Sequence, residues 1–155
     1  MIFKTFLRPV TKRHVERKIL STSPSHLYSI IVDVDEYSKF LPLCTHSKIL
    51  HGSNDERSFE ASLTVGMPPV FTETYVSSVV ADPQKLVVET RSIQSKLFDS
   101  LTSRWKLFAV PESEVQCKVD FEVSITASVR KRIGNACLLP IVSMMFLTFY
   151  AFLCR

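Results

Sequence analysis

Residues 115–125 read Val-Gln-Cys-Lys-Val-Asp-Phe-Glu-Val-Ser-Ile, and their alternation decides the fold class. Val115, Cys117, Val119, Phe121, Val123 and Ile125 fall on one side of an extended chain. Gln116, Lys118, Asp120, Glu122 and Ser124 fall on the other. Successive side chains of a β-strand point to opposite faces, so this stretch is a strand with one dry and one wet face, as in an antiparallel sheet. Pro111, Glu112, Ser113 and Glu114 supply a turn before it. Beyond that turn Arg104, Trp105, Lys106 and Leu107 alternate again, which predicts a hairpin. Further back, Phe59, Ala61, Leu63 and Val65 alternate with Ser58, Glu60, Ser62 and Thr64. Phe71–Val80 and Leu86–Arg91 also read as strands, divided by the turn-forming Ala81, Asp82, Pro83 and Gln84.

The segment ahead of these strands is helical. Ser23 is a good N-cap with Pro24 at the first helical position, and Leu27, Ile30, Ile31 and Val34 recur at helical spacing. Asp33, Val34, Asp35 and Glu36 interrupt that pattern, and Tyr37–Leu41 forms a second short helix stopped by Pro42. The order is a first strand, two short helices and a long antiparallel meander, which is an α+β arrangement. With 155 residues, 46% hydrophobic and 22% charged, the chain has the length and composition of one folded domain.

The two ends depart from this pattern. Residues 136–154 carry no charge, and 16 of the 19 are hydrophobic. Such a helix must be buried in protein or in lipid, and Arg130, Lys131, Arg132 and Arg155 are flanks a membrane span could use. Pro140 leaves roughly 15 residues, or about 22 Å of helix, against a hydrocarbon core of about 30 Å. A long helix packed on the sheet is therefore favoured. At the other end, residues 1–18 hold six basic side chains and one acid, or +5, whereas the whole chain carries +4. The remaining 137 residues sum to −1, which argues against a nucleic-acid-binding face. The acid-free opening, with Ile2, Phe3, Phe6, Leu7 and Val10 interleaved among Lys4, Arg8, Lys12 and Arg13, reads either as a mitochondrial import segment over residues 1–14 or as a basic tail.

Little in the chain supports catalysis. Gly52, Gly66 and Gly134 are too far apart to build a phosphate cradle. Cys44, Cys117, Cys137 and Cys154 form no C-x-x-C pair, and the histidines form no H-E-x-x-H, so zinc and dithiol chemistry lack support. His26, His46, His51 and Cys117 each have a structural reading, and no nucleophile stands beside a base. Glu73 sits on a strand of ambiguous phase. Outward, the favoured reading, it is a surface acid; inward, it is a polar anchor for a ligand. Phe59, Leu63, Val65, Phe71, Tyr75, Trp105, Phe121 and Val123 can line one face of the sheet. That face is either a packed core or an elongated apolar cavity.

Residues 30–44 (Ile-Ile-Val-Asp-Val-Asp-Glu-Tyr-Ser-Lys-Phe-Leu-Pro-Leu-Cys) resemble the opening of the mitochondrial coenzyme Q-binding START-domain family. Ala61–Gly66, Glu73–Ser77, Phe98 with its spacer to Trp105, and Cys117–Phe121 extend the resemblance over about residues 14–125. It implies the helix-grip fold: a curved antiparallel sheet wrapped around a long C-terminal helix, with two short helices after the first strand. It implies residues 15–155 as the lipid-binding domain, no cofactor and no catalysis. The implied ligand is ubiquinone, a prenylquinone held in an apolar cavity. Leu41 and Pro42 would stand at the mouth; Leu63, Val65, Phe71, Tyr75, Trp105 and Phe121 would line the walls.

The implied setting is the mitochondrial inner membrane, on its matrix side, with respiratory complexes or quinone-synthesis proteins as partners. The departure is the C-terminal segment. Family members end in an amphipathic helix with acids and lysines, whereas here those positions are Leu, Cys, Thr or Ser. Either the lid inserts in the membrane or the tail is an alternative coding end. The rival readings are a cyclase- or aromatase-like enzyme on the same fold, a ribosome-interacting module, and a tail-anchored protein.

Overall fold

The computed structural model describes residues 8–52, 57–69, 71–96 and 98–128. Within them the chain forms strands β1 (Val10–Leu20), β2 (Cys44–Gly52), β3 (Ser58–Met67), β4 (Phe71–Asp82), β5 (Val87–Gln94), β6 (Ser100–Val110) and β7 (Ser113–Ala127). All seven make one antiparallel sheet in the order β1-β7-β6-β5-β4-β3-β2. Each strand from β2 onward pairs with its successor, while β1 pairs with β7 from Val10↔Ala127 to Leu20↔Cys117. β1 and β2 are therefore opposite edges, and the segment joining them crosses the sheet. That segment holds helix α1 (Pro24–Val32), a 3₁₀ turn (Val34–Glu36) and helix α2 (Tyr37–Phe40).

Local chemistry sets these boundaries. The Ser23 hydroxyl accepts from the His26 amide at 3.2 Å, capping α1 where Pro24 opens it. Leu27, Ile31 and Val34 are buried and Ile30 is half-buried, as their spacing predicts. The Ser47 hydroxyl accepts from the Ser38 amide and donates to the Asp35 carbonyl, and the Asp35 carboxylate accepts from the Ile49 amide at 2.6 Å. The 3₁₀ turn and α2 are thus tied to edge strand β2. Between β4 and β5 the Asp82 carboxylate accepts from the Gln84 and Lys85 amides, both at 3.0 Å, and Leu86 closes the turn at φ 53°.

The inner face of β7 runs through Cys117, Val119, Phe121, Val123, Ile125 and Ala127, all buried. Val115, expected on that face, is instead 71% exposed. The β6–β7 ladder slips between Ala109 and Val110, so Val110 pairs with Ser113 and Ala109 with Cys117. Residues 114–116 then have no partner, and the alternation no longer decides where they point.

β1 starts at Val10, inside the stretch that composition groups with an import segment. On the outer face Arg13 meets Glu122 at 2.6 Å and Arg17 meets Asp120 at 3.7 Å. Basic residues of the N-terminal stretch are thereby matched by acids of β7. On the inner face β1 is polar. The register sets His14 against Val123, Glu16 against Phe121 and Lys18 against Val119, and Glu16 bridges to His14 at 3.2 Å and to Lys18 at 2.9 Å.

Candidate functional site: a chamber on the inner face

Where α1 and α2 cross the sheet, the inner face stays partly open. The result is a chamber of about 110 Å³ bordered by Ile31, Val34 and Tyr37 from the crossing segment, with the remaining lining from β3 to β7. Pairing explains which strand residues meet there. Leu63 on β3 lies opposite Tyr75 on β4, and Ala61 lies opposite Ser77. Val79 pairs with Thr90, Thr90 with Ser103, and Ser103 with Val123. One row across four strands therefore lines the chamber. A second row passes through Val88, Trp105 and Phe121, where the last two rings lie 4.4 Å apart, tilted by 44°.

Of the residues expected to line a cavity, Leu63, Tyr75, Trp105 and Phe121 border this chamber. Leu41 and Val65 are buried in the core at 2% and 1% exposure without bordering it, and Pro42 is exposed. The side chain of Phe71 and the expected C-terminal helix 136–154 lie outside the described residues. Sequence reasoning missed Tyr37, Ser77, Thr90 and Ser103. Ser77 and Tyr75 have the same strand parity, which was a usable signal. Thr90 has the parity of Val88, and Ser103 that of Leu101 and Trp105, so the same signal applied to them. The inward polar group on β1 was also missed, since Val15 and Ile19 there point outward and are 46% and 58% exposed.

Glu73 corrects the outward reading: it is buried, on the inner side of β4. Its carboxylate accepts from the Ser95 hydroxyl at 3.0 Å and the Lys96 amide at 2.8 Å. Two hydrogen bonds to one oxygen offset the desolvation of a buried carboxylate. They hold the β5–β6 loop against the sheet. Phe98, at the end of that loop, packs edge-on against Tyr75 with ring centroids 5.5 Å apart. Glu73 does not itself border the chamber; it acts on the wall through the loop.

The chamber is electrically neutral. Among the described residues its lining contains no acid, lysine, arginine, histidine or cysteine. Its two phenols are held protonated. Burial is the main cause that raises both, reinforced at Tyr37 by Tyr75 and at Tyr75 by Cys44. The Tyr37 hydroxyl donates to the Ile31 carbonyl, fixing α2 to the end of α1. Cys44 and Cys117 are buried free thiols, and burial raises both, which suits packing and not nucleophilic attack. His26, His46 and His51 are exposed and border no part of the chamber. Among the described residues no three His, Cys, Asp or Glu side chains are grouped to hold a metal, and no helix is long and apolar enough to cross a membrane.

Comparison with known proteins places this geometry. The family model described as "Polyketide cyclase / dehydrase and lipid transport" matches residues 20–144. The mitochondrial coenzyme Q-binding protein COQ10 of Dictyostelium discoideum is 33% identical over 123 residues, covering 76% of this chain and 59% of that protein. Its counterpart in Schizosaccharomyces pombe is 33% identical over 125 residues, covering 79% of this chain and 75% of that protein. Among solved structures, the ZhuI aromatase/cyclase from Streptomyces sp. R1128 superposes with TM-score 0.74 at 13% identity, over 90% of this chain and 88% of that one. A START superfamily protein from Mycobacterium smegmatis gives 0.68 at 16% identity, over 86% and 93%. At such identities the structural likeness shows the fold alone, and that fold is the expected helix-grip α+β arrangement.

Proposed function

The chain belongs to the polyketide cyclase / dehydrase and lipid transport family, alongside its mitochondrial coenzyme Q-binding members, and we propose that it binds ubiquinone as a carrier without transforming it. The observation that carries this reading is the neutral chamber. A polyprenylated quinone is insoluble in water and uncharged, so a protein that moves it must offer an apolar, charge-free enclosure. A cyclase of this fold needs an acid or base that titrates near neutrality, and the described lining offers only phenols held protonated. The chamber's scale is that of a single aromatic ring, since an apolar cavity of roughly 150 Å³ holds a benzene. The ring is held inside, and the isoprenoid tail extends beyond it.

The wider setting is also part of the proposal. The chain spans 59% of the Dictyostelium relative's length, and the relatives' names place them in mitochondria. In this reading residues 1–14 target the protein there and residues 15–155 form the lipid-binding domain. The protein works at the matrix side of the inner membrane as a peripheral protein, supplying quinone to respiratory complexes and supporting quinone synthesis. The test is to purify the protein from respiring cells in mild detergent and identify co-purifying lipids by mass spectrometry. A prenylquinone near one per chain is expected. Phospholipid alone, or no lipid, overturns the carrier reading.

A further inference from the structure

Two hydroxyls on the chamber wall have no hydrogen-bond partner among the described residues. Tyr75 and Ser77 stand two residues apart on β4, so they share its inner face, and both border the chamber. They are 8% and 5% exposed, yet among the described residues neither side-chain oxygen makes a hydrogen bond. Neither oxygen is fully enclosed by protein, and both residues border the chamber. Hydroxyls with so little access to bulk water take a hydrogen-bond partner from protein, ordered water or a ligand. The neighbouring Thr90 and Ser103 do so by bonding each other at 2.7 Å. The β4–β5 ladder also slips between Val76 and Ser77, a bulge of the kind that re-aims side chains beside a binding site. Burial keeps the Tyr75 phenol protonated and able to donate.

We propose that Tyr75 and Ser77 bind the oxygen-bearing ring of the ligand, donating hydrogen bonds to its ring carbonyl or alkoxy oxygens. This rests on the carrier reading above and adds to it the ligand's orientation and chemical class. Neutral donors in a neutral lining suit uncharged oxygen acceptors. A phosphate head group or a fatty carboxylate calls for a cation, and the described lining contains none. The ligand is therefore an oxygenated, uncharged ring with an apolar tail, and it enters ring first.

The test uses Trp105, the chain's single tryptophan, whose fluorescence a bound quinone quenches from within the same chamber. A short-chain ubiquinone is titrated directly into the full-length protein, and a matched prenylbenzene without ring oxygens is measured by competition. Tyr75→Phe and Ser77→Ala should each weaken ubiquinone binding about three- to tenfold, the effect of one lost hydrogen bond, and leave the prenylbenzene unchanged. The infrared carbonyl band of isotopically labelled quinone should shift on binding and move back toward its free position in Tyr75→Phe. Variants of unchanged melting temperature that bind ubiquinone like the parent, or that lose both probes equally, overturn the ring assignment while the carrier reading stands. A parent chain that binds neither probe overturns both.

Discussion

Two walls of the chamber belong to one sheet and obey one alternation, yet they are built for different purposes. On β6 and β7, Trp105, Phe121 and Val123 are apolar, and the rings of the first two pack together. That wall is stable as it stands. On β4, Tyr75 and Ser77 are as well buried as their neighbours but carry hydroxyls with nothing described to bond. Nothing among the described residues accounts for that wall. A strand's period reports which side of the sheet a residue occupies and says nothing about whether that side is finished by protein or by a ligand.

The largest expected effect falls on the apolar wall. Trp105→Ala removes the indole that packs against Phe121, and truncations of buried aromatics destabilise by about 3–5 kcal/mol. Leu63→Ser, facing Tyr75 across β3–β4, should cost less in packing but adds a buried hydroxyl to the chamber. Both should lower the melting temperature seen by circular dichroism and reduce retained quinone. A folded Trp105→Ala protein that retains quinone at the parent level would remove this wall from the site and leave it only a core role.

Glu73 comes next because it supports the hydroxyl wall from behind. Glu73→Ala strands the Lys96 amide and takes an acceptor from the Ser95 hydroxyl, at an expected loss of about 1–3 kcal/mol in urea unfolding. With the loop released, Phe98 no longer fixes the Tyr75 ring, so ubiquinone affinity should fall although Glu73 never touches the ligand. If affinity is unchanged while stability drops, the loop is irrelevant to the site and Tyr75 is positioned by β3 and β5 alone.

The sheet, both short helices and the order of elements were legible in the sequence because each rests on a local periodicity or cap. The β7 alternation, the Ser23–Pro24 start and the Pro42 stop are signals of that kind. Part of the chamber lining was legible too: apolar parity sets Leu63, Tyr75, Trp105 and Phe121 on the face that borders it. What a search for apolar residues passed over is the polar part. Ser77, Thr90 and Ser103 share the parity of Tyr75, Val88 and Trp105, but as small polar residues they stand out only when the strands are assembled around the chamber. Glu73 reads as a surface acid until the Ser95–Lys96 loop, 22 and 23 residues later, supplies its donors. Val115 fails for the opposite reason: the pattern is intact, but the ladder slips before it.

The smallest expected effect separates the chamber from the edge strand beside it. Glu16 is held below the ordinary carboxylate range, chiefly by the hydrogen bond from Lys18, and Glu122 likewise by Arg13. Asp82 is lowered mainly by the Lys85 amide. A carboxyl lowered in the folded state contributes stability that is fully present above its unfolded value, about 4, and lost as pH falls through the folded one. Urea unfolding should therefore be level from about pH 5 to 8 and weaken below about pH 4, modestly, because two of the three groups are well exposed. Glu16→Gln should remove part of that acid slope. Ubiquinone affinity over about pH 5–8 should stay flat in both proteins, since the described lining holds no group that titrates there. An affinity that changes across that range would put an ionisable group on the ligand, and His14, bridged to Glu16 at 3.2 Å on the inner face of β1, would be the first to substitute.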